Sequence, residues 1–162
     1  MTILEPMPPE RFDAFADVSI ASHASDNVGS GRWREHESET LARAEFGRLL
    51  PQKAATPEHH FYEIKPHPSG PVLGFVWLGS LPRGNVRVAF VFQLFVYPEH
   101  RRRGHGRAAL LQVEKLAEVM GLTGVALNVF GSNLAAQALY RSLGYVVTSL
   151  SMHKPLSTSR VE

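Results

Sequence analysis

The sequence of 162 residues contains no cysteine. Without thiols, the chain cannot form a disulfide framework or a zinc site built from thiolates. It also lacks a large excess of charge of either sign, because its formal net charge at pH 7 is only +2. So small an excess gives no reason to expect a nucleic-acid partner, and we expect none. The absence of cysteine favours a reducing, cytoplasmic location.

Long apolar runs and internal repeats are missing as well. No run approaches the ~20 residues of a membrane span, so we expect no membrane partner. No spacing of histidines and carboxylates is typical of a metal site, so we expect no metal. What is present is the composition of a globular protein, with 44% hydrophobic and 20% charged residues. We expect one domain over residues 1–155 and a flexible tail over residues 156–162.

The periodicity of the apolar residues predicts a mixed α/β fold, of the α+β kind. The predicted order is two helices, a hairpin of two strands, and then strand, helix, strand, helix and strand. Pro8-Pro9-Glu10 opens the first helix, and Ser38 is the expected N-cap of the second. The later elements are predicted at residues 60–65, 72–78, 86–96, 104–120, 125–129, 133–143 and 145–153. Such an order predicts a central mixed sheet with helices on both faces.

A basic turn between the strand at 86–96 and the helix at 104–120 carries the most functional information. The strand stops at Pro98, and Gly104 and Gly106 stand at the entrance of the helix. Glycine allows a sharp turn and a close approach to a ligand, and the first N–H groups of a helix have no intrahelical partners. Those groups and the helix dipole suit a phosphate or a pyrophosphate. Three successive arginines also occur in ordinary solvated loops, but such loops do not need two glycines at a helix entrance.

This turn resembles the acyl-CoA-binding signature of the GCN5-related N-acetyltransferases (GNAT), written Gln/Arg-x-x-Gly-x-Gly/Ala. A second element typical of that family follows at a suitable distance. The residues that carry the resemblance are Arg101-Arg102-Arg103-Gly104-His105-Gly106, then Leu127-Asn128-Val129, Asn133, Ala138-Leu139-Tyr140 and Leu143-Gly144-Tyr145. The resemblance implies a GNAT-like, mostly antiparallel sheet whose central strands splay apart. It also implies acetyl-CoA as the co-substrate.

In that family the pantetheine arm of the cofactor lies between the two splayed strands, which part after a bulge. The backbone of a strand edge left unpaired by a bulge can bond an extended amide chain. The resemblance assigns this role to Leu94, Phe95 and Val96. It assigns the pyrophosphate contacts, mostly through backbone N–H groups, to the turn residues Arg102, Arg103, Gly104, His105, Gly106 and Arg107, with Arg101 at the first position of the motif.

Asn133 and Tyr140 are seven residues apart, near two full helical turns, so their side chains share one face. By resemblance, Asn133 bonds the cofactor arm and Tyr140 protonates the departing thiolate of CoA. The alternative is structural: Asn133 caps the last helix and Tyr140 packs against the sheet. The two motifs together favour the functional interpretation.

The sequence does not provide an obvious general base. Family members often have a glutamate on one of the two splayed strands, and the matching positions here are Phe90 and Asn128. Neither side chain can take a proton, although Asn128 can orient a water molecule. Other candidates from neighbouring strands are Glu63, His59 and His60.

The resulting functional hypothesis is acetyl-CoA-dependent N-acetylation of a primary amine, which attacks directly in a ternary complex. The acceptor is a small molecule or a peptide, and the loop 28–39 with Trp33 is its expected pocket, or else a mixed-charge surface segment. The missing base leaves open a catalytically impaired module that binds or senses acyl-CoA. A dinucleotide-dependent oxidoreductase is a further alternative, because Gly104-His105-Gly106-Arg107-Ala108-Ala109 also fits Gly-x-Gly-x-x-Gly/Ala. A homodimer is the general expectation for an oligomeric state.

Overall fold

The structure is a computed structural model, and it describes residues 1–157. The helices are α1 (Phe12–Gly29), α2 (Glu35–Leu49), α3 (His105–Val119) and α4 (Leu134–Ser142). The strands are β1 (Ile3–Pro6), β2 (His59–Lys65), β3 (Gly74–Arg83), β4 (Val86–Val96) and β5 (Val125–Leu127). Short helical turns lie at Pro9–Arg11, Lys53–Ala55 and Pro98–His100.

The five strands form one sheet in the order β1-β2-β3-β4-β5. The first three neighbouring pairs are antiparallel, and only β4 and β5 run parallel. Parallel neighbours need a crossover connection, and α3 provides it between β4 and β5. The predicted mixed, mostly antiparallel sheet is therefore confirmed.

Each face of the sheet has its own apolar core. On one face, aliphatic residues of the strands pack against Ala109 and Val113 of α3. The other face is aromatic: Phe12 and Phe15 of α1 pack against Phe61, Phe75 and Trp77. The rings of Phe15 and Phe75 meet edge to face, with centroids 4.7 Å apart, a favoured aromatic geometry. Helices therefore cover both faces of the sheet, as the sequence predicted.

A β-bulge interrupts the pairing of β3 with β4. Trp77 lies opposite Gln93, but Leu78 lies opposite Val91, so Phe92 is an extra residue on β4. The ring of Phe92 stacks on Trp77, with centroids 4.7 Å apart. It also covers Gly79, where a Cβ would come within 2.5 Å of a ring carbon of Phe92. A glycine at position 79 therefore leaves room for the bulged side chain.

Several sequence predictions of local structure are wrong. No strand follows α4 among residues 145–157, where a strand was predicted at 145–153. Alternating side chains stabilise a strand only when a partner edge pairs with it, and none does here. β3 runs to Arg83, five residues beyond the end predicted for it at residue 78. β5 ends at Leu127, two residues earlier than predicted.

The start of α2 also differs from the prediction, because Ser38 is not its N-cap. Ser38 lies within the first turn, and its hydroxyl donates to the carbonyl of Glu35 at 2.8 Å. The helix begins after Arg34, whose N–H donates to the Glu37 carboxylate at 3.4 Å. An acidic side chain in the first turn thus satisfies a free N–H group.

Residues 158–162 of the predicted tail lie outside the described residues. Among residues 1–157, no helix combines the length and the apolar character that crossing a membrane requires.

Candidate active site

A gap opens between β4 and β5 because the two strands pair over only three residues. The pairs are Ala89 with Val125, Phe90 with Ala126 and Val91 with Leu127, whereas β4 continues to Val96. The bulge at Phe92 follows the last pair directly. An extra residue breaks the two-residue repeat of a ladder and increases the twist of the strand, so the pairing with β5 stops there.

Main-chain groups of Leu94 and Val96 face this gap. The N–H of Tyr97, just after β4, donates to the carbonyl of Leu73, just before β3, at 2.9 Å. Because backbone groups of an antiparallel strand point alternately to either side, Val96 and Leu94 point away from β3. By the same alternation, the N–H and C=O of Phe95 are directed toward its partner Phe75 on β3. Of the three residues that the resemblance implies, two therefore present their backbone to the gap.

The turn after β4 contains two residues with left-handed backbone. Arg102 has φ 62° and Gly104 has φ 82°. Changes in the sign of φ between successive residues turn their N–H groups toward one concave side, as in anion-binding nests. The first helical bond of α3 runs from Ala108 N–H to Gly104 O at 3.0 Å. Within the described chain, the N–H groups of His105, Gly106 and Arg107 have no acceptor, as expected for the first turn of a helix.

The side chains of the turn have different surroundings. The guanidinium of Arg101 donates from Nε to the carbonyl of Val96 at 2.7 Å and lies over the ring of Phe95 at 5.3 Å. The Arg107 guanidinium donates to the Ser142 hydroxyl at 2.9 Å, which connects α3 to α4. All four arginines are exposed, but the guanidinium groups of Arg102 and Arg103 make no such contact within residues 1–157. These last two are therefore the arginines best placed to meet a ligand from solvent.

At this turn, the group of His105 that is available to a ligand is its backbone N–H and not its imidazole. Its Nδ1 is 2.9 Å from the hydroxyl of Thr2, at the start of the chain. Burial lowers the pKa of His105, and the positive charges of His100, the N-terminus and Arg103 lower it further. The imidazole is thus a neutral ring turned toward Thr2, which leaves the N–H of His105 to the turn.

Gly106 lies where α3, α4 and β4 meet. A Cβ built there would be 3.9 Å from Cδ2 of Leu139 on α4 and 3.9 Å from Cδ2 of Leu94 on β4. The helix entrance, the unpaired edge of β4 and the residue before Tyr140 therefore come together in one place. Their sequence positions span more than forty residues, so only the fold brings them together.

Asn133 is the N-cap of α4, as the structural alternative predicted. Its Oδ1 accepts the N–H of Ala136 at 3.1 Å. The side-chain amide of Asn133 is exposed, and it makes no further hydrogen bond within the described residues. Sequence reasoning missed Gln137, whose Nε2 donates to the carbonyls of Phe130 and Gly131 at 3.1 and 3.0 Å and thereby fixes the loop before α4.

Tyr140 is half-buried on α4, and its ring centroid is 5.7 Å from that of Tyr145. Burial raises the pKa of Tyr140. Burial, with smaller contributions from Glu114 and Tyr140, raises the pKa of Tyr145 to about 12. The hydroxyl of Tyr145 is buried and has no hydrogen-bond partner among the described residues. Both phenols therefore stay protonated at neutral pH.

His59 is poorly suited to act as a general base. The indole Nε1 of Trp77 donates to Nδ1 of His59 at 2.9 Å, so the neutral ring carries its proton on Nε2. Burial, followed by the charge of His60, lowers the pKa of His59. The imidazole also packs against Phe92, with centroids 5.2 Å apart. To accept a proton, His59 would have to give up its bond with Trp77.

The other candidate bases are also engaged or distant. The carboxylate of Glu63 is buried and forms ion pairs with Arg11 at 3.2 Å and Lys65 at 3.3 Å. Since β2 is two strands from β4, the backbone of Glu63 and that of His60 lie about 10 Å from that strand. Phe90 packs against Phe92, and Asn128 is exposed just after β5. Among residues 1–157, no group of three or more His, Asp or Glu side chains is arranged to hold a metal ion.

The loop expected to bind the acceptor is anchored to the helices next to it. Trp33 packs against α1 and α2, and its ring lies 5.3 Å from that of His23. Beside this loop, a cleft of about 650 Å³ separates α1 from α2. Its lining includes the carboxylates of Asp17, Glu35 and Glu39, but no residue of β4, α3 or α4.

Comparisons with known proteins show which family and which solved structures this chain is similar to. The family model described as "Acetyltransferase (GNAT) family" matches residues 26–145. The Uncharacterized N-acetyltransferase YycN of Bacillus subtilis (strain 168) is 30% identical over 157 residues, which cover 96% of this chain and 100% of YycN. The Uncharacterized N-acetyltransferase YdgE of the same organism is 31% identical over 153 residues, which cover 94% of this chain and 97% of YdgE. The crystal structure of YycN aligns with a TM-score of 0.91 at 28% identity, and the alignment covers 98% of this chain and 100% of YycN.

Proposed function

Because the chain belongs to the acetyltransferase (GNAT) family, we propose that it transfers an acetyl group from acetyl-CoA to a primary amine. One observation carries this proposal: the unpaired edge of β4 lies beside the free N–H groups that begin α3. A Cβ added at Gly106 would be in van der Waals range of Leu94 and Leu139, so these parts lie close enough to contact a single ligand. An extended amide chain that ends in a diphosphate matches both kinds of donor.

In this proposal the turn holds the pyrophosphate of the cofactor. The N–H groups of His105, Gly106 and Arg107 bond its oxygens, and Gly104 provides the bend that exposes them. The exposed side chains of Arg102 and Arg103 add positive charge. Arg101 acts differently, because it holds the turn against Val96 and Phe95.

The pantetheine arm is proposed to lie along β4. Leu94 and Val96 offer their backbone N–H groups to it, and the exposed amide of Asn133 reaches it from the start of α4. Phe95 helps to hold this part of β4 against β3, since its ring stacks on that of Phe75 with centroids 5.2 Å apart. Positioning of this kind can supply several kcal/mol of the rate enhancement, about 7 to 11 in the best-oriented cases.

When bound, acetyl-CoA supplies an activated acyl group whose thioester carbon accepts the lone pair of the amine. A C–N bond then forms and the C–S bond breaks. The hydroxyl of Tyr140 donates its proton to the leaving sulfur and regains one from solvent. The proton of the amine leaves through water, because His59 and Glu63 are engaged in other contacts.

The acceptor is proposed to approach from the side of α1 and α2. On that side Phe90, Phe92 and His59 form an aromatic wall beside the gap. The carboxylates of Asp17 and Glu35 in the cleft between the helices attract a protonated amine, whereas the Glu39 carboxylate there is paired with Arg43 at 3.3 Å. The acceptor is then a small molecule or a peptide with a primary amino group.

Among residues 1–157 none of the candidate bases is free beside the gap, which favours one alternative, a module that binds acyl-CoA without turnover. Release of CoA from acetyl-CoA, measured across a panel of small amines, amino acids and lysine peptides, separates the two functions. Turnover with at least one amine supports the transferase. Binding of acetyl-CoA without any turnover supports the binding module, and binding of NADH instead would favour an oxidoreductase. If acetyl-CoA does not bind, both acyl-CoA functions are excluded.

A further inference from the structure

Gln93 is a polar residue on the aromatic face of the sheet, and the bulge in β4 places it there. Val91 packs toward α3, whereas Phe92 packs against the aromatic core beneath α1. Strict alternation would turn the next side chain back toward α3. Instead, the hydroxyl of Ser19 on α1 donates to Oε1 of Gln93, so this side chain also lies on the α1 side. Alternation resumes with Leu94, which packs toward α3.

The bond between Ser19 and Gln93 leaves one end of the carboxamide unused. Ser19 is only 2% exposed, and its hydroxyl holds Oε1 of Gln93. The Nε2 group of Gln93 donates to no acceptor within residues 1–157. It is not sealed inside the protein either, because the Tyr145 hydroxyl is the only buried side-chain nitrogen or oxygen without a partner among these described residues. Gln93 therefore presents N–H donors that a ligand can reach.

A polar pair is an unusual choice for this position. Phe15 precedes Ser19 by one helical turn, and Phe92 and Phe95 lie beside Gln93 on the same face of β4. Apolar side chains could fill the same space without needing a hydrogen-bond partner. Replacing both partners of a buried hydrogen bond by apolar groups of the same shape is often nearly neutral for stability. The pair is therefore better explained by the donor that it presents than by the stability that it adds.

Gln93 also lies at the closed end of the gap between β4 and β5. The parallel pairing ends at Val91, and the gap extends from there toward Val96 and the glycine turn. A cofactor arm whose diphosphate is held at the turn passes Val96 and Leu94 before its far end reaches Gln93. That far end carries the acyl group, and the α1 side is the side from which the acceptor is proposed to approach.

We propose that Nε2 of Gln93 donates a hydrogen bond to the carbonyl oxygen of the acyl group, an inference that rests on the proposed acetyl transfer. When the amine attacks, the C–N bond forms and the π electrons of the carbonyl move to this oxygen. The N–H of Gln93 stabilises the negative charge that develops there. As the carbonyl re-forms, the C–S bond breaks and the sulfur takes the proton of Tyr140, while the proton of the amine leaves through water. Ser19 is a positioning residue, because it acts by fixing the carboxamide.

The kinetics of Gln93→Met test this role, because methionine is similar in length and has no N–H donor. We expect kcat to fall at least tenfold, since loss of one oxyanion donor typically costs about 10² to 10³. The KM for acetyl-CoA is expected to change little, because the turn and the backbone of β4 still hold the cofactor. The pH dependence of kcat keeps its shape, since a carboxamide does not titrate near neutral pH. A pH profile that loses a limb would instead indicate a base and contradict the proposal.

Gln52→Met is the matched control, because Gln52 is exposed before β2 and its side chain is far from the gap in the sequence of elements. It is expected to keep the wild-type kcat. If wild type turns over and Gln93→Met has the same kcat as Gln52→Met, this inference is wrong while acetyl transfer stands. Urea denaturation checks that each variant is folded.

Ser19→Ala tests the positioning role. It is expected to lower kcat by about threefold or more, the effect of losing one ordinary hydrogen bond. In the background of Gln93→Met it is expected to have no further effect, because Ser19 then has no carboxamide to fix. Ser22→Ala, also on α1, is the matched control and is expected to leave kcat unchanged. Equal effects of Ser19→Ala in both backgrounds would show that Ser19 does not act through Gln93.

A measurement without an acceptor amine separates this inference from the proposed function. Acetyl-CoA that is isotope-labelled at its carbonyl carbon gives a distinct infrared band when it is bound. A hydrogen bond weakens the C=O bond, so we expect this band at lower frequency on wild type than on Gln93→Met. Equal frequencies on the two proteins, or no binding of acetyl-CoA, would overturn the inference. A lower frequency on wild type without transfer to any amine would support the contact with Gln93 and contradict the transferase.

Discussion

At the level of single residues, Tyr140 and Tyr145 carry the same phenol in different surroundings. Tyr140 lies next to Leu139, which approaches the entrance of α3, whereas the hydroxyl of Tyr145 is buried without a partner. Burial raises the pKa of both groups above the ordinary value for tyrosine. At neutral pH each can donate a proton, but only Tyr140 is proposed to reach the leaving sulfur.

The first prediction compares these two hydroxyl groups. Tyr140→Phe is expected to lower kcat at least tenfold, since general acid catalysis typically contributes about 10² to 10⁴. The KM for acetyl-CoA is expected to change less than threefold, because the cofactor is held by the turn and by β4. Steady-state kinetics with a saturating amine measures both constants.

Tyr145→Phe is the matched control, because it removes a phenol oxygen only five positions away. It is expected to leave kcat unchanged, since that hydroxyl bonds to nothing in the described structure. Equal kcat values for wild type and Tyr140→Phe would remove Tyr140 from the mechanism.

At the level of elements, the entrance of α3 depends on the backbone of Gly104. Its φ of 82° is one that other residues adopt only with strain, although a Cβ there would meet no atom within 4 Å. Gly47, inside α2, also has no atom within 4 Å of an added Cβ, but it does not have a positive φ. Since an added Cβ has room at both positions, alanine substitutions at the two glycines differ in the backbone conformation that they require and not in the space available.

The second prediction uses this pair. Gly104→Ala is expected to lower the free energy of unfolding by about 1 to 2 kcal/mol, the cost of left-handed backbone for an L-residue. Gly47→Ala is expected to raise it by about 0.5 to 1 kcal/mol, because alanine favours a helix interior over glycine. Urea denaturation measures both changes. Gly104→Ala is also expected to raise the KM for acetyl-CoA, and a variant with unchanged stability and KM would show that the bend is not needed.

The sequence predicted the elements with strong local patterns. The strand at 86–96 has the predicted ends, and the helix predicted at 104–120 ends just before Gly121, which has the left-handed φ of 73° expected after a helix. The strand predicted at 145–153 failed because a strand depends on a distant partner, which periodicity does not reveal.

The candidate site was predictable to the extent that its parts are local. The glycine turn and the spacing of Asn133 and Tyr140 could be recognised along the chain. The separate orientations of Leu94 and Phe95 could not, because they depend on the hydrogen bonds of β4 with β3. The bond between Trp77 and His59 joins two strands, and no periodic pattern indicates it.

At the level of the whole molecule, the sheet separates two cores of different composition. Aliphatic side chains lie between the sheet and α3, and aromatic side chains lie between the sheet and α1. The proposed cofactor site borders the first layer, at the ends of α3 and β4. A ligand bound there would contact three elements at once, so its binding should stabilise the whole fold.

The third prediction follows from this arrangement. Acetyl-CoA at about 100 times its Kd is expected to stabilise the folded state by ~2.7 kcal/mol. For a chain of this size the corresponding rise in Tm is roughly 5 to 10 °C. NADH at the same concentration is the control and is expected to leave Tm unchanged. A thermal shift with NADH but not with acetyl-CoA would contradict the proposed cofactor.

The bulge at Phe92 has a consequence for how this region tolerates change. The main chain, not the side chains, of Leu94 and Val96 faces the gap, so the binding surface is specified by the number of residues in β4 rather than by their identity. Apolar replacements at these two positions would preserve it. Deletion of one residue at the bulge would let the parallel ladder of β4 and β5 extend beyond Val91, and the gap between the two strands would close. This part of the strand should therefore tolerate apolar substitutions but not insertions or deletions.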